Sequence, residues 1–236
     1  MKETIEMTLL ENPTRRALVI GAHPDDNEVG CGGTTAKLIQ AGWDITFLIC
    51  TNGNKGSNDP KMSSYLLAEL REIEQQVAAN VLGVQTVVFL RHNDGELAPS
   101  PSLRFELALY IRHFKPHAIY THDPWRIYMM HPDHRAVGFA VIEAIVHARD
   151  PLFLPGLGQI GVPAWRPGAL YLWWAEHPDH VEDVSSTLAQ KVTALRAHAS
   201  QEIASPGWVE RVAQKAVEIG AEKGMVAGEA FKKIPL

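Results

Sequence analysis

The stretch ALVIGAHPDDNEVGCGGT, residues 17–34, decides how this chain is read. Its first six residues are a short apolar run between a pair of arginines and a polar turn. That is the pattern of a strand buried on both faces of a parallel sheet. A histidine and two aspartates follow at once, and residues 32–42 then fit a helix with a glycine stop. Strand, polar turn and helix together open a βαβ unit.

The same rhythm extends outward. Apolar runs at residues 45–51, 86–90 and 118–121 read as strands. Between them, residues 63–82, 103–114 and 135–148 read as helices. In residues 63–82 the helical spacing is carried by Leu66, Leu67, Leu70, Ile73, Val77 and Val81, and Gly83 ends it. This alternation predicts an α/β fold: a Rossmann-like, mostly parallel sheet flanked by helices, in a single domain. Residues 1–15 read as a polar N-terminal leader and 16–236 as the domain. Residues 150–168 break the rhythm with prolines and glycines but are apolar, so a loop packed over a pocket or at a subunit contact is expected. A strand at 169–175 and helices at 185–199 and 208–219 finish the reading.

Composition narrows the classes. The chain has 236 residues, 46% of them hydrophobic and 21% charged, which suits one soluble globular domain. A net charge of −5 gives no basic surface for nucleic acid. With only Cys31 and Cys50, neither a disulfide framework nor a four-cysteine metal site is available. The N-terminus lacks the apolar core of a signal peptide, and no run approaches the length of a membrane span. A cytoplasmic protein is expected.

Ligands of open α/β sheets bind beyond the carboxyl ends of the strands. His23, Asp25 and Asp26 follow the first strand, Asp94 follows the third, and HPDH at residues 131–134 follows the fourth. HPDH recurs at residues 177–180 after a later strand. A catalytic zinc takes three nitrogen or oxygen ligands and keeps a fourth position open. The spacing of His23 and Asp26 lets both face one point, with Asp25 beside it, the place of a general base. His134 or His131 would complete the set. Each run also has a plain reading: Asp25 and Asp26 as a helix cap, the glycines as tight packing. His92, His113, His117, His122 and His147 read as histidines without chemistry; of these, His122 lies closest to a strand end.

Taken together, the motifs resemble the PIG-L or LmbE-like family of zinc-dependent N-deacetylases. The likeness runs from about residue 16 to residue 201. It is carried by AHPDDNE with CGGT, TNGNKG, LREIEQQVAANVLGV, FLRHNDGEL, HPDHRAVG and DVSSTLAQKVTALRAHASQ. The resemblance implies Zn2+ on His23, Asp26 and His134, with Asp25 as general base. It implies His131 as the group that stabilises the oxyanion, Asp133 as the partner of His131, and His198 near the reacting carbonyl. Arg71 and Asp94 fall where the family holds sugar hydroxyls. Only the first HPDH matches a ligand motif. The implied reaction removes the acetyl group from an N-acetylglucosamine-type sugar, a small-molecule partner, in a homo-oligomer. Two rivals use the same residues: a non-haem iron enzyme built on the His23, Asp26 and His134 triad, and a non-catalytic sugar- or nucleotide-binding Rossmann domain. The absence of G-x-G-x-x-G and the acidity of Asp25 and Asp26 count against the second.

Overall fold

The computed structural model describes residues 14–236, so nearly all of the leader lies outside the described residues. Five parallel strands carry the first two-thirds of the sheet: β1 (Arg16–Gly21), β2 (Asp44–Thr51), β3 (Thr86–His92), β4 (Ala118–His122) and β5 (Ala169–Trp173). Helices α1 (Asp26–Gln40), α2 (Ser64–Leu82), α3 (Pro101–Phe114) and α4 (Pro132–Arg149) make the crossovers. After the short α5 (Pro155–Gln159) come β6 (His180–Asp183), α6 (Leu188–Leu195), α7 (Pro206–Ala221) and β7 (Gly228–Pro235). The strand order is β3-β2-β1-β4-β5-β7-β6, with β7 antiparallel to both of its neighbours. No described helix is long and apolar enough to cross a membrane.

The expected α/β architecture is present, and β1 is buried on both faces. Leu18 and Ile20 join a core with α3 and α4, while Ala17 and Val19 join the opposite core with Phe47, Ala78 and Phe231. Two strands, β6 and β7, have no counterpart in the sequence reading. Their residues, HVED and GEAFKKIP, are short or charged, and Phe231 is the one large side chain in them that is fully buried.

Helix α2 faces the other way from its apolar pattern. Leu66, Leu70, Ile73 and Val77 are exposed. The buried face is Leu67, Arg71, Glu74, Gln75, Ala78, Ala79 and Leu82. Burial of charged groups needs partners, and those partners turn out to be the site.

The apolar loop at 150–168 is also not where a lid would be. It follows the C-terminus of α4, an 18-residue helix roughly 27 Å long, and α4 begins at the histidine motif. Trp165 Nε1 donates to Pro116 O, and Gly168 N to His117 O, at the amino ends of the strands. Arg112, almost fully buried, donates to the carbonyls of His147, Ala148, Asp150 and Leu154. A cation on the last carbonyls of a helix is well placed. The loop is therefore pinned at the opposite edge of the sheet from the histidine motif, and Leu152 and Ile160 remain exposed there.

Candidate active site

The turn between β1 and α1 is strained. Asp25 has φ 103°, in the left-handed region that residues other than glycine avoid. Three contacts hold it there. Its N–H donates to Gln75 Oε1 at 2.9 Å, Arg71 Nη2 donates to Pro24 O at 2.6 Å, and the same nitrogen reaches Asp25 Oδ2 at 3.1 Å. Arg71 Nη1 donates to Gly53 O, and a Cβ on Gly53 would stand 2.5 Å from that nitrogen. The glycines of TNGNKG thus seat the guanidinium. Burial raises the Asp25 carboxyl above the usual range, and Arg71 opposes the shift.

The next residue turns inward. Asp26 Oδ2 accepts from His23 N at 2.7 Å, closing the turn on itself. His23 Nδ1 and His134 Nε2 are 3.2 Å apart. Asp26 Oδ2 is 3.3 Å from the first and Oδ1 is 3.3 Å from the second. Donors about 2.0–2.1 Å from a tetrahedral ion stand roughly 3.3 Å from one another. Each histidine thus stands at that spacing from one oxygen of Asp26, a different oxygen for each, and the three side chains converge on one place. Burial works to raise Asp26, but the imidazoles of His134 and His122 override it and hold the carboxyl well below its ordinary range. Among the described residues, three overlapping trios of metal-ligating side chains meet here: His23 with His131 and His134, Asp26 with His122 and His134, and His23 with Asp94 and Asp133.

The last trio orients the ring of His23. His23 Nε2 lies 3.1 Å from Asp133 Oδ2 and 3.2 Å from Asp94 Oδ1. Asp133 also accepts from Gly95 N at 2.7 Å and Leu97 N at 3.1 Å, which docks the loop after β3 onto α4. The expected pairing of Asp133 with His131 is not formed. His131 caps α4, and its Nδ1 accepts from Asp133 N at 3.3 Å. With Nδ1 accepting, the ring proton sits on Nε2. Burial and the neighbouring His23 and His134 lower its pKa, so the neutral ring prevails at pH 7.

Arg71 and Asp94 are 4% and 6% exposed and face Asp25 and His23, not open solvent. His198 is completely buried, its Nε2 3.4 Å from Glu28 Oε2. Gln75 Nε2 donates to Glu28 Oε1 at 2.7 Å and Gln75 Oε1 accepts from Asp25 N, so Glu28 is tied to the backbone of Asp25, while His198 lies beside its other oxygen without a hydrogen bond. The second HPDH stands apart: His177 is exposed, and His180 opens β6 with its Nε2 2.7 Å from Glu182. His122, which the sequence reading set aside, is in the centre, fully buried and 3.3 Å from Asp26 Oδ2. Its place as the last residue of a parallel strand was the available signal.

Helix α1 is broken at Cys31, which has φ −151°. Glu229 from β7 accepts from Gly33 N and Thr34 N just past the break, and Lys191 from α6 donates to Val29 O just before it. Lys191 and Glu229 also pair with each other. A helix interrupted in its middle thus has both new ends capped by side chains.

The sequence matches the family described as PIG-L, GlcNAc-PI de-N-acetylase, over residues 18–145, more than half of the chain. The diacetylchitobiose deacetylase of Thermococcus kodakarensis is 35% identical over 190 residues, 80% of this chain and 71% of that one. The chain belongs to the PIG-L family. Among solved structures, N,N'-diacetylchitobiose deacetylase from Pyrococcus horikoshii superimposes with TM-score 0.89 at 31% identity, covering 94% of this chain and 85% of that one. The hydratase GalB of Pseudomonas putida, which acts on 4-carboxy-2-hydroxymuconate, shares the fold with TM-score 0.80 at 23% identity, over 94% and 96% of the two chains. The PIG-L fold therefore does not by itself name the reaction, and the site must.

Proposed function

We propose that this chain is a zinc-dependent hydrolase that removes the N-acetyl group from an N-acetylglucosamine-type sugar or conjugate. One observation carries the reading: His23 and His134 present nitrogens 3.2 Å apart, each 3.3 Å from one oxygen of Asp26, with the strained Asp25 beside them. The relatives named as deacetylases of an N-acetylated sugar support the choice of bond.

A divalent ion on His23, Asp26 and His134 would supply Lewis acidity, lowering the pKa of a water towards about 7 and polarising the amide carbonyl. Asp25 takes a proton from the attacking water. Its raised pKa suits it to hold that proton and pass it to the departing nitrogen, because an amine anion is too poor a leaving group. The new C–O bond replaces the C–N bond, and acetate and a free amine leave. His131, neutral and protonated on Nε2, donates to the carbonyl oxygen as charge gathers on it. Asp133 and Asp94 hold the ring of His23, and Arg71 holds Asp25. His198, fully buried beside Glu28, acts as a charge behind Glu28 and Asp25, not on the substrate.

The homo-oligomer belongs to the same reading. Leu66, Leu70, Ile73 and Val77 form an exposed apolar stripe on α2, beside the edge strand β3, the kind of surface a second copy covers. Light scattering should give a mass above that of one chain, and Leu66→Glu with Ile73→Glu should reduce it.

The deciding experiment pairs metal analysis of the purified chain with acetate release from diacetylchitobiose, N-acetylglucosamine and a simple N-acetyl amine. One zinc per chain, with chelator removing metal and activity together, is expected. Iron with oxygen consumption, zinc-loaded protein releasing no acetate, or acetate release that survives removal of the metal would sink the proposal.

A further inference from the structure

β5 ends in two tryptophans, and the backbone turns between them. Trp173 is fully buried against α1, where a Cβ on Gly30 would stand 2.5 Å from its ring. In an extended strand the next side chain would point to the opposite face of the sheet. Trp174 instead has φ 53°, in the left-handed region that bulky residues avoid. Both indoles reach the same histidine, with ring centroids 4.8 Å and 5.4 Å from that of His122. Asp123 holds the turn: its N–H donates to Trp173 O at 3.2 Å, and its Oδ2 accepts from Glu176 N at 3.0 Å. Strain kept in place by surrounding contacts points to a use for the side chain it aims.

The ring of Trp174 is half-buried and its centroid lies 5.6 Å from that of His134. In the strand order β3-β2-β1-β4-β5, the turn that bears His23, Asp25 and Asp26 is central. Asp94 after β3 and Arg71 from α2 approach it from one side, and Trp174 after β5 from the other. One flank of the site is thus made of carboxylates and a guanidinium, the other of an indole.

An N-acetyl sugar is two-sided in the same way about its amide, with hydroxyls beyond the nitrogen and a methyl on the carbonyl carbon. Hydroxyls set against an indole lose water and gain no partner. A methyl set there gains by leaving water. We infer that Trp174 is the wall of the acyl subsite and limits the acyl group that the site accepts to acetyl. The inference rests on the proposed deacetylase reading and adds to it which side of the site takes the acyl group.

The test gives the zinc-loaded full chain diacetylchitobiose and its N-propionyl and N-butyryl analogues. One methylene in an apolar pocket changes kcat/KM on the order of tenfold or more, so wild type should prefer acetyl to propionyl by at least that factor. Trp174→Gly deletes the ring at a backbone position that glycine adopts freely. It should shrink the preference for acetyl about tenfold, at unchanged zinc content. Its choice between diacetylchitobiose and N-acetylglucosamine should stay that of wild type. Calorimetric titration with acetate and butyrate reads the same subsite without turnover: wild type should hold acetate more tightly, and the variant should lose that preference. Melting checks folding. If Trp174→Gly does not fold, Trp174→Phe, whose shorter ring leaves part of the space open, should move both readouts the same way by less. An acyl preference unchanged in the variant that folds would overturn the inference, as would wild type that cleaves butyryl as fast as acetyl. So would a variant that changes the choice between the two sugars and not between acyl groups, since Trp174 would then face the sugar. Zinc-loaded wild type that releases no acid from any of these amides would overturn the deacetylase reading itself, and the inference with it.

Discussion

Asp25 keeps a backbone conformation that a side chain resists, and three hydrogen bonds from outside its own turn keep it there. A residue strained at this position is expected to act, not to cap. Asp25→Asn should therefore keep zinc and lose turnover by on the order of a hundred- to ten-thousandfold; near-wild-type turnover of the zinc-loaded variant would remove it from the chemistry. Arg71 faces that carboxylate, so Arg71→Ala should slow sugar and non-sugar amides alike, as steady-state rates on both will tell. A loss confined to the sugar would return Arg71 to the sugar-binding place that the resemblance gave it. His23 adds a pH effect. Burial lowers its pKa, but Asp133, Asp26 and Asp94 outweigh burial and raise it well above the ordinary value in the metal-free chain. An incoming ion must then displace a proton. Apparent zinc affinity should rise with pH through the range where His23 deprotonates, and binding heats should depend on the ionisation enthalpy of the buffer; buffer-independent heats would contradict it. At this scale the sequence was most readable where a motif is contiguous, as in His23 to Asp26. It was least readable where one ring serves a residue nearly a hundred positions away, as His122 does Asp26.

Among the elements, α2 is the instructive departure. Periodicity marks an apolar face, and the usual inference is that this face is buried. Here burial went to Arg71, Glu74 and Gln75, because each has a fixed partner: Asp25, Ser200 and Glu28. Hydrogen-bonded partners make polar burial tolerable, and no pattern of hydrophobicity reports them. The twin HPDH runs make the same point about context. His134 is presented by the first turn of α4 at the carboxyl edge of the sheet, whereas His180 begins an edge strand and pairs with Glu182. His180→Ala should leave zinc content unchanged and His134→Ala should lower it, by metal analysis of the two purified proteins. Strands β1 to β5 were legible because parallel burial makes them continuous apolar runs. Strands β6 and β7 were not, since β6 is the sheet's last strand and β7 spends Glu229 on amides of α1, Lys232 on Asp179 and Lys233 on the ring of Tyr171.

For the whole molecule, the pair of Lys191 and Glu229 joins the end of the fold to its beginning. Both side chains are buried, and removing one charge of a buried pair typically costs about 3–5 kcal/mol. Glu229→Gln should lose stability of that order in chemical denaturation. A variant as stable as wild type would mean that the break in α1 needs no clamp. The clamp also orders events in time. Asp26 heads α1 and is among the first residues of the domain to leave the ribosome, yet the carboxylate that caps the second half of its helix is made some two hundred residues later. A nascent chain can gather its histidines and aspartates early but cannot finish the helix beneath them until residue 229 has been added. If Asp26 holds an ion, its support is completed with β7, and a ribosome stalled before residue 229 should hold a chain that binds zinc more weakly than the released protein.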